Sequence, residues 1–415
     1  MKVKKTEIGW RRLDNSAKIF PISSSKKFST VFRMSAVLKD DINVGILNKS
    51  LEITLKKFSA FKVKIKKGIF WYYFEDNTKN PIIEEEHNYP CKYIDPRENK
   101  DYLFKVTYFK NKINVDTFHA LTDGSSAVQF LKELVYNYIE LKHNFKKSLR
   151  SDRKYNYTTE DSYMTHYDKH AKRNMKNKKA FAITGRKLPL DAISITHEII
   201  ELPKLKEIAK QKGVTITQFL TAVLLKSIYD TKYDNKRPIK ICIPVNLKKY
   251  FNSITISNFF AYITVVTEGK YDTLDEIIKF VKNDFDKKLT KEELTKTMSA
   301  NVKLGNNFFI KILPLPLKQL IVKLSYIEIR KYTTTTFSNI GRFGIIAEYM
   351  PYIDNFLFML APESVEKIKC AACSYDNKLV FTFSSIIEDK NVENRFCEIL
   401  QQNGIKVEIE TNGVV

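Results

Sequence analysis

The run from Ile113 to Val135 limits the fold more than any other part of the chain. It opens on alternation, with Ile113, Val115 and Thr117 set against Asn114, Asp116 and Phe118, which is the period of a strand. It closes with Val128, Leu131 and Val135 at helical spacing, so strand and helix share one short segment of a mixed α/β fold. Between them stand His119, Asp123 and Gly124. A histidine at the end of a strand is held by rigid backbone yet can face a cleft. A carboxylate four residues on can fix the turn by binding a cation or backbone N–H groups, and a turn glycine permits a positive φ that most residues resist. That combination suits a general base.

Elsewhere the chain alternates between the same two periods. Phe28 to Leu38 reads as a strand, and Val44, Leu47, Leu51 and Leu55 mark a helix within Asp41 to Phe58. Phe61 to Phe74 reads as a hairpin turning near Lys67-Gly68, and Leu103 to Phe109 with Ile113 to His119 as a second strand pair. From Leu141 to Lys187 the composition turns basic, with Tyr155, Tyr157, Tyr163 and Tyr167 interleaved. Basic residues among aromatics can bind a single strand of nucleic acid, but a crossover whose tyrosines pack on both halves is the better reading. The second half begins with a strand at Ala192 to Ile200. Helices follow at Lys204 to Lys212 and Thr215 to Tyr229, then strands at Ile239 to Val245 and Phe259 to Val266. Two long helical regions, Leu274 to Lys303 and Phe308 to Arg330, precede a β-rich end and a last helix at Val392 to Gln402. The expected domains are 1–145, a basic linker 146–190, and 191–415.

A length of 415 residues and 43% hydrophobic content support packed cores rather than disorder. The formal charge of +23 admits nucleic acid, an anionic membrane or an anionic small molecule as partner. Heavy use of Lys, Asn, Ile, Tyr and Phe, with arginine scarce, reads as compositional drift rather than base recognition. The five cysteines are widely spaced, and Cys370-Ala-Ala-Cys373 lies in a strand-like run with no second pair, so buried thiols are expected rather than a disulfide framework or a metal site. His166 and His170 stand four apart near Glu160 and Asp161, but without a flanking metal-binding pattern they read as surface. No apolar leader opens the sequence, and Phe308 to Ile327 carries too many lysines for a membrane span, so a cytoplasmic protein is expected.

His119-Ala-Leu-Thr-Asp123-Gly124 resembles the HxxxDG motif of the chloramphenicol-acetyltransferase-like superfamily, and the layout is most similar to its bacterial alcohol acetyltransferase branch. The segment Leu13-Asp14-Asn15-Ser16-Ala17-Lys18-Ile19-Phe20-Pro21 is similar to the stretch that leads into the first strand of that group. The resemblance implies two similar α/β (α+β) domains, each a mixed sheet with helices, and an active-site tunnel at their interface. It implies that His119 is the base, that Asp123 orients the loop through a basic partner, Lys248 or the competing Arg33, and that Phe337-Ser338-Asn339-Ile340-Gly341 matches a second-half segment. There Ser338 or Asn339 either donates to an oxyanion or serves a turn. Relatives often carry two adjacent histidines. Here Phe118 takes the first place, which favours the alcohol type over a condensation domain. The DFGWG signature of plant members is absent.

The function this implies is CoA-dependent transfer of a short acyl group to a small alcohol by direct attack, with acyl-CoA as co-substrate and no tightly bound cofactor or metal. No Gly-x-Ser-x-Gly elbow occurs, consistent with direct transfer. A positive field would draw in a polyanion such as CoA. The alternatives are a condensation-type enzyme fed by a carrier-protein thioester and a non-catalytic member of the fold; nucleic acid stands fourth.

Overall fold

The computed structural model describes residues 9–26, 28–145, 156–171, 178–189, 191–234, 236–267 and 269–414. Tyr155, one of the four crossover tyrosines, lies outside them. Two large mixed sheets carry the fold. The first has five strands in the order Ile353–Leu360, Val31–Leu38, Lys112–Phe118, Phe104–Phe109 and Ile83–Glu85. The second has seven, in the order Phe260–Val266, Lys240–Asn246, Thr335–Arg342, Ile368–Tyr375, Lys378–Ser385, Ser194–Glu201 and Val407–Thr411. A small sheet of Trp10–Arg12, Tyr72–Asp76 and Val63–Lys67 completes the described β structure, and it contains the expected hairpin.

One strand breaks the division of the chain at residue 191. Ile353–Leu360 pairs antiparallel with Val31–Leu38, from Ile353 opposite Leu38 to Leu360 opposite Phe32. A strand from the C-terminal half thus completes the N-terminal sheet. The sequence reading placed all of 191–415 in the second domain, because alternation identifies a strand but not its partner.

The neighbouring strand Ile368–Tyr375 explains the Cys-x-x-Cys spacing. Its alternate side chains go to different cores: Cys370 and Ala372 join the helices of the second half, while Ala371 and Cys373 pack toward the first. An odd separation on a strand puts the two thiols on opposite faces. All five cysteines are free.

The helices follow their capping chemistry. Ile216–Thr231 starts from a capping box in which Thr215 accepts from the Gln218 N–H and Gln218 reaches back to the Thr215 N–H. Leu274–Lys288 starts the same way from Thr273 and Glu276. The two expected long helical regions are broken, into Leu274–Lys288 and Lys291–Asn306 and into Phe308–Ile312 and Leu315–Arg330. Pro314 and Pro316 make the second break, since proline is tolerated at a helix start and not within one.

The crossover tyrosines pack on both halves. Tyr157 stacks on Phe58 and donates to the Lys57 carbonyl at 2.9 Å. Tyr163 donates to the Phe260 carbonyl at 2.8 Å, and Tyr167 packs on the second core. His166 and His170 do not share a helix, because Ser162–Thr165 ends before them; the His166 ring rests on Phe251 and Phe259.

Candidate active site

The strand Lys112–Phe118 delivers His119 to the seam between the halves, where the His119 N–H donates to the Thr30 carbonyl at 3.0 Å. A loop of the second half, 252–259, then follows the motif residue by residue. Thr122 donates to the Ile256 carbonyl at 2.5 Å, His119 Nδ1 meets Asn258 Oδ1 at 3.0 Å, and Asp123 accepts from the Phe259 N–H at 3.0 Å. The site is therefore held by both halves at once.

Asp123 caps the helix Gly124–Lys142. Its Oδ1 accepts from the Ser126 N–H at 3.1 Å, the Ser125 hydroxyl at 2.8 Å and Lys248 Nζ at 2.9 Å. Lys248 also donates to the Ser126 hydroxyl at 2.7 Å. Of the two partners considered for Asp123, the structure gives Lys248. Arg33 is engaged elsewhere, in a two-pronged contact with Asp116 and a further one with Glu86.

Gly124 corrects the sequence reading. It is the first residue of its helix, outside the glycines with positive φ, so no left-handed turn requires it. A Cβ there would meet Ile340 and Met34 side-chain carbons at 3.7 Å, which is ordinary contact. The turn expected of a glycine is supplied by Asp123 acting as cap.

The surroundings of His119 were not foreseen. Phe20 stacks on the imidazole with centroids 4.7 Å apart, Phe32 meets it edge-on at 5.1 Å, and Phe260 lies tilted at 5.2 Å. His119 as a residue is half-buried, and protein packs closely around its ring. This burial pushes its pKa below the ordinary histidine value, helped by the positive Lys369. Its own carbonyl, Asp123 and Asn258 pull the other way without reversing the direction. The neutral imidazole is therefore the resting form at neutral pH.

Which nitrogen carries the proton follows from Asp14. Asp14 is fully buried and accepts four hydrogen bonds. Ala17 N–H at 2.8 Å and the Ser16 hydroxyl at 3.0 Å reach Oδ1, while the Asn258 N–H and side-chain amide, both at 3.1 Å, reach Oδ2. The Asn258 amide nitrogen must face that carboxylate, so its carbonyl oxygen must face His119. An acceptor there requires a proton on Nδ1 and leaves the Nε2 lone pair free. Asp14, Asn258 and His119 thus form a chain that fixes one tautomer.

Asp14 lies in the segment quoted above, whose likeness to a known stretch was the signal, although it was read only as a lead into a strand. Asn258 gave none, because a lone asparagine in a polar loop is unremarkable in sequence.

The second-half candidates fare unequally. The Asn339 amide donates to the Thr217 hydroxyl at 3.0 Å and its oxygen accepts from the Gly341 N–H at 2.9 Å, across a bulge where Gly341 takes φ +83°. Asn339 thus serves the backbone turn that the sequence reading held as an alternative. Ser338 lies on the opposite strand face from Phe337, whose ring is in the second core, and its hydroxyl has no protein partner among the described residues. Among the described residues no three His, Cys, Asp or Glu side chains assemble into a metal site.

No family model matches the sequence, and no curated protein matches it. Solved structures do. Polyketide synthase associated protein 5 from Mycobacterium tuberculosis matches with a TM-score of 0.64 at 12% identity, over 94% of this chain and 96% of that one. The starter condensation domain of rhizomide synthetase, in complex with C8-CoA, matches at 0.64 and 10% identity, over 95% and 94%. The trichothecene 15-O-acetyltransferase TRI3 from Fusarium sporotrichioides matches at 0.61 and 9% identity, over 95% and 94%. The chain has the two-domain fold of this condensation domain and this acetyltransferase.

Proposed function

We propose that the chain is a CoA-dependent O-acyltransferase that passes a short acyl group from acyl-CoA to an alcohol, with His119 as general base. The observation that carries this is His119 itself: its imidazole neutral and fixed in one tautomer by Asn258 and Asp14, the residue half-buried at the seam of the two halves. In this reading Nε2 takes the hydroxyl proton as the oxygen attacks the thioester carbonyl. The tetrahedral intermediate collapses with cleavage of the C–S bond, and the imidazolium returns its proton to the thiolate. Asp123 orients the loop without touching the reacting atoms. Ser338, whose hydroxyl has no protein partner among the described residues, is free to donate to the oxyanion, whereas Asn339 is engaged by Thr217 and Gly341. Support for CoA as the donor comes from the C8-CoA bound to the rhizomide synthetase domain, and support for transfer to an oxygen comes from the 15-O-acetyltransferase neighbour. A tunnel between the halves would let donor and acceptor meet at His119.

The test is release of thiol from acetyl-CoA in the presence of alcohols, wild type against His119→Ala. The variant should lose at least about 100-fold in rate, the size of a general-base contribution. Equal rates would end the assignment. A second reading is favoured by the condensation-domain neighbours: a carrier-protein thioester in place of free CoA. Turnover that requires a phosphopantetheinylated carrier would select it.

A further inference from the structure

The helix Leu315–Arg330 is packed inside out. Lys318, in its first turns, is buried, donating to the Phe70 carbonyl at 2.8 Å with its ammonium 3.6 Å from the centre of the Trp71 ring. Burial lowers its pKa to about 8. On the other side Leu317, Leu320, Ile321 and Leu324 are each more than half exposed and recur at three- and four-residue spacing, with Ile327 continuing the stripe. The stripe extends past the helix. Ile312 stands exposed at the end of the preceding helix, and Ile69 and Phe70 emerge from the hairpin tip, tied to the helix start by the Leu315 N–H to Ile69 carbonyl bond at 2.9 Å. A continuous apolar face of this kind on a water-facing surface marks an interaction site.

The charge around it selects the partner. From Leu294 to Ile327 the sequence has five lysines and neither aspartate nor glutamate. Lys311 and Lys323 are exposed beside the stripe, and Lys66 and Lys67 are exposed on the hairpin. Two copies of this face brought together would set lysine against lysine. An anionic lipid surface would meet both features, taking the leucines into the acyl boundary while the lysines reach the headgroups. Among the described residues no helix is long and apolar enough to cross a membrane, so the helix would lie along the surface. We propose that this face docks the protein on an anionic membrane.

The proposal does not depend on the acyl-transfer reading, and it is tested without substrate. The full chain is sedimented with vesicles of phosphatidylcholine alone and of phosphatidylcholine mixed with phosphatidylglycerol. Wild type should partition onto the anionic vesicles and much less onto the neutral ones. Each inserted leucine contributes on the order of tenfold, so Leu320→Ser with Leu324→Ser should cut partitioning by roughly 100-fold. Lys311→Glu with Lys323→Glu should cut it at least about tenfold and flatten the dependence on anionic lipid. All four sites are solvent-facing, so unchanged thermal melts should accompany these losses. Wild type remaining in the supernatant of anionic vesicles overturns the proposal, as does undiminished binding by the double serine variant. Light scattering that shows a concentration-dependent dimer, abolished by the serine pair, would assign the face to a second copy and also overturn it.

Discussion

Two sets of buried carboxylates in this protein have opposite surroundings. At the seam, Asp14 accepts four hydrogen bonds and Asp123 accepts four, one of them from Lys248. In the second sheet, Glu198 on the strand Ser194–Glu201 faces Glu393 on the helix Asn391–Gln402, and among the described residues neither carboxyl oxygen pair has a hydrogen-bond partner. A buried charge is tolerable only when donors replace its lost water. The seam carboxylates meet that condition with donors, although burial still pushes the Asp14 pKa up. The glutamates meet burial by keeping protons, and their pKa values are pushed up, to about 7 for Glu393. One arrangement uses burial to fix geometry; the other makes stability depend on pH.

The sharpest test of the contrast is Asp123→Ala. It strips the helix of its cap and leaves Lys248, whose side chain is only 11% exposed, as an uncompensated buried charge. Removing one member of a buried pair costs about 3–5 kcal/mol, read as a lower denaturant midpoint. Adding Lys248→Met should recover part of that loss. If single and double variants unfold at the same midpoint, the ion pair is not what holds the seam.

The glutamates should respond the other way. Glu393 has a folded pKa above its unfolded value, so its contribution is intact below about pH 4.5 and is lost as pH rises through about 7. A shift of that size corresponds to about 3 kcal/mol at full titration, at order-of-magnitude accuracy. Glu393→Gln removes the titration. It should be nearly neutral at pH 5 and stabilising at pH 8, by up to about 3 kcal/mol. Denaturant midpoints of wild type and variant that run parallel across that range would show that Glu393 has a partner the comparison denies it.

What could be read from sequence divides along the range of the interactions. The motif strand and its helix were legible because their signal is local: alternation, then helical spacing, with His119 and Asp123 between. Lys248 was found because the stretch that carries it was already suspect. Asn258 was not, since its meaning comes from Asp14, 244 positions away, and from His119, 139 away. The strand Ile353–Leu360 lies in the expected β-rich end, but its place in the first sheet was not legible for the same reason: its partner is Val31–Leu38. Gly124 was read as a turn residue and instead opens the helix, because glycine permits a positive φ without requiring one. The helix Leu315–Arg330 was located within a longer region, but only the packing of Lys318 on Trp71 and Phe70 shows which of its faces is turned outward.

The smallest expected effect tests whether the satisfied carboxylate acts on the imidazole at all. Asp14 touches no reacting group in the proposed mechanism; it orients Asn258, and Asn258 orients His119. Asn258→Ala should therefore leave the fold in place and lower kcat by about 100-fold, roughly 2.7 kcal/mol, with KM for acyl-CoA little changed. Loss of packing alone could slow the enzyme too, so rate is not the deciding readout. The Asn258 contact raises the His119 pKa against the depression from burial. Its removal should move the acid limb of the pH–rate profile to lower pH, because the imidazolium loses the acceptor at Nδ1. A purely structural asparagine would lower the rate and leave that limb where it stands, and such a profile would break the link between the carboxylate at the seam and the proton on the ring.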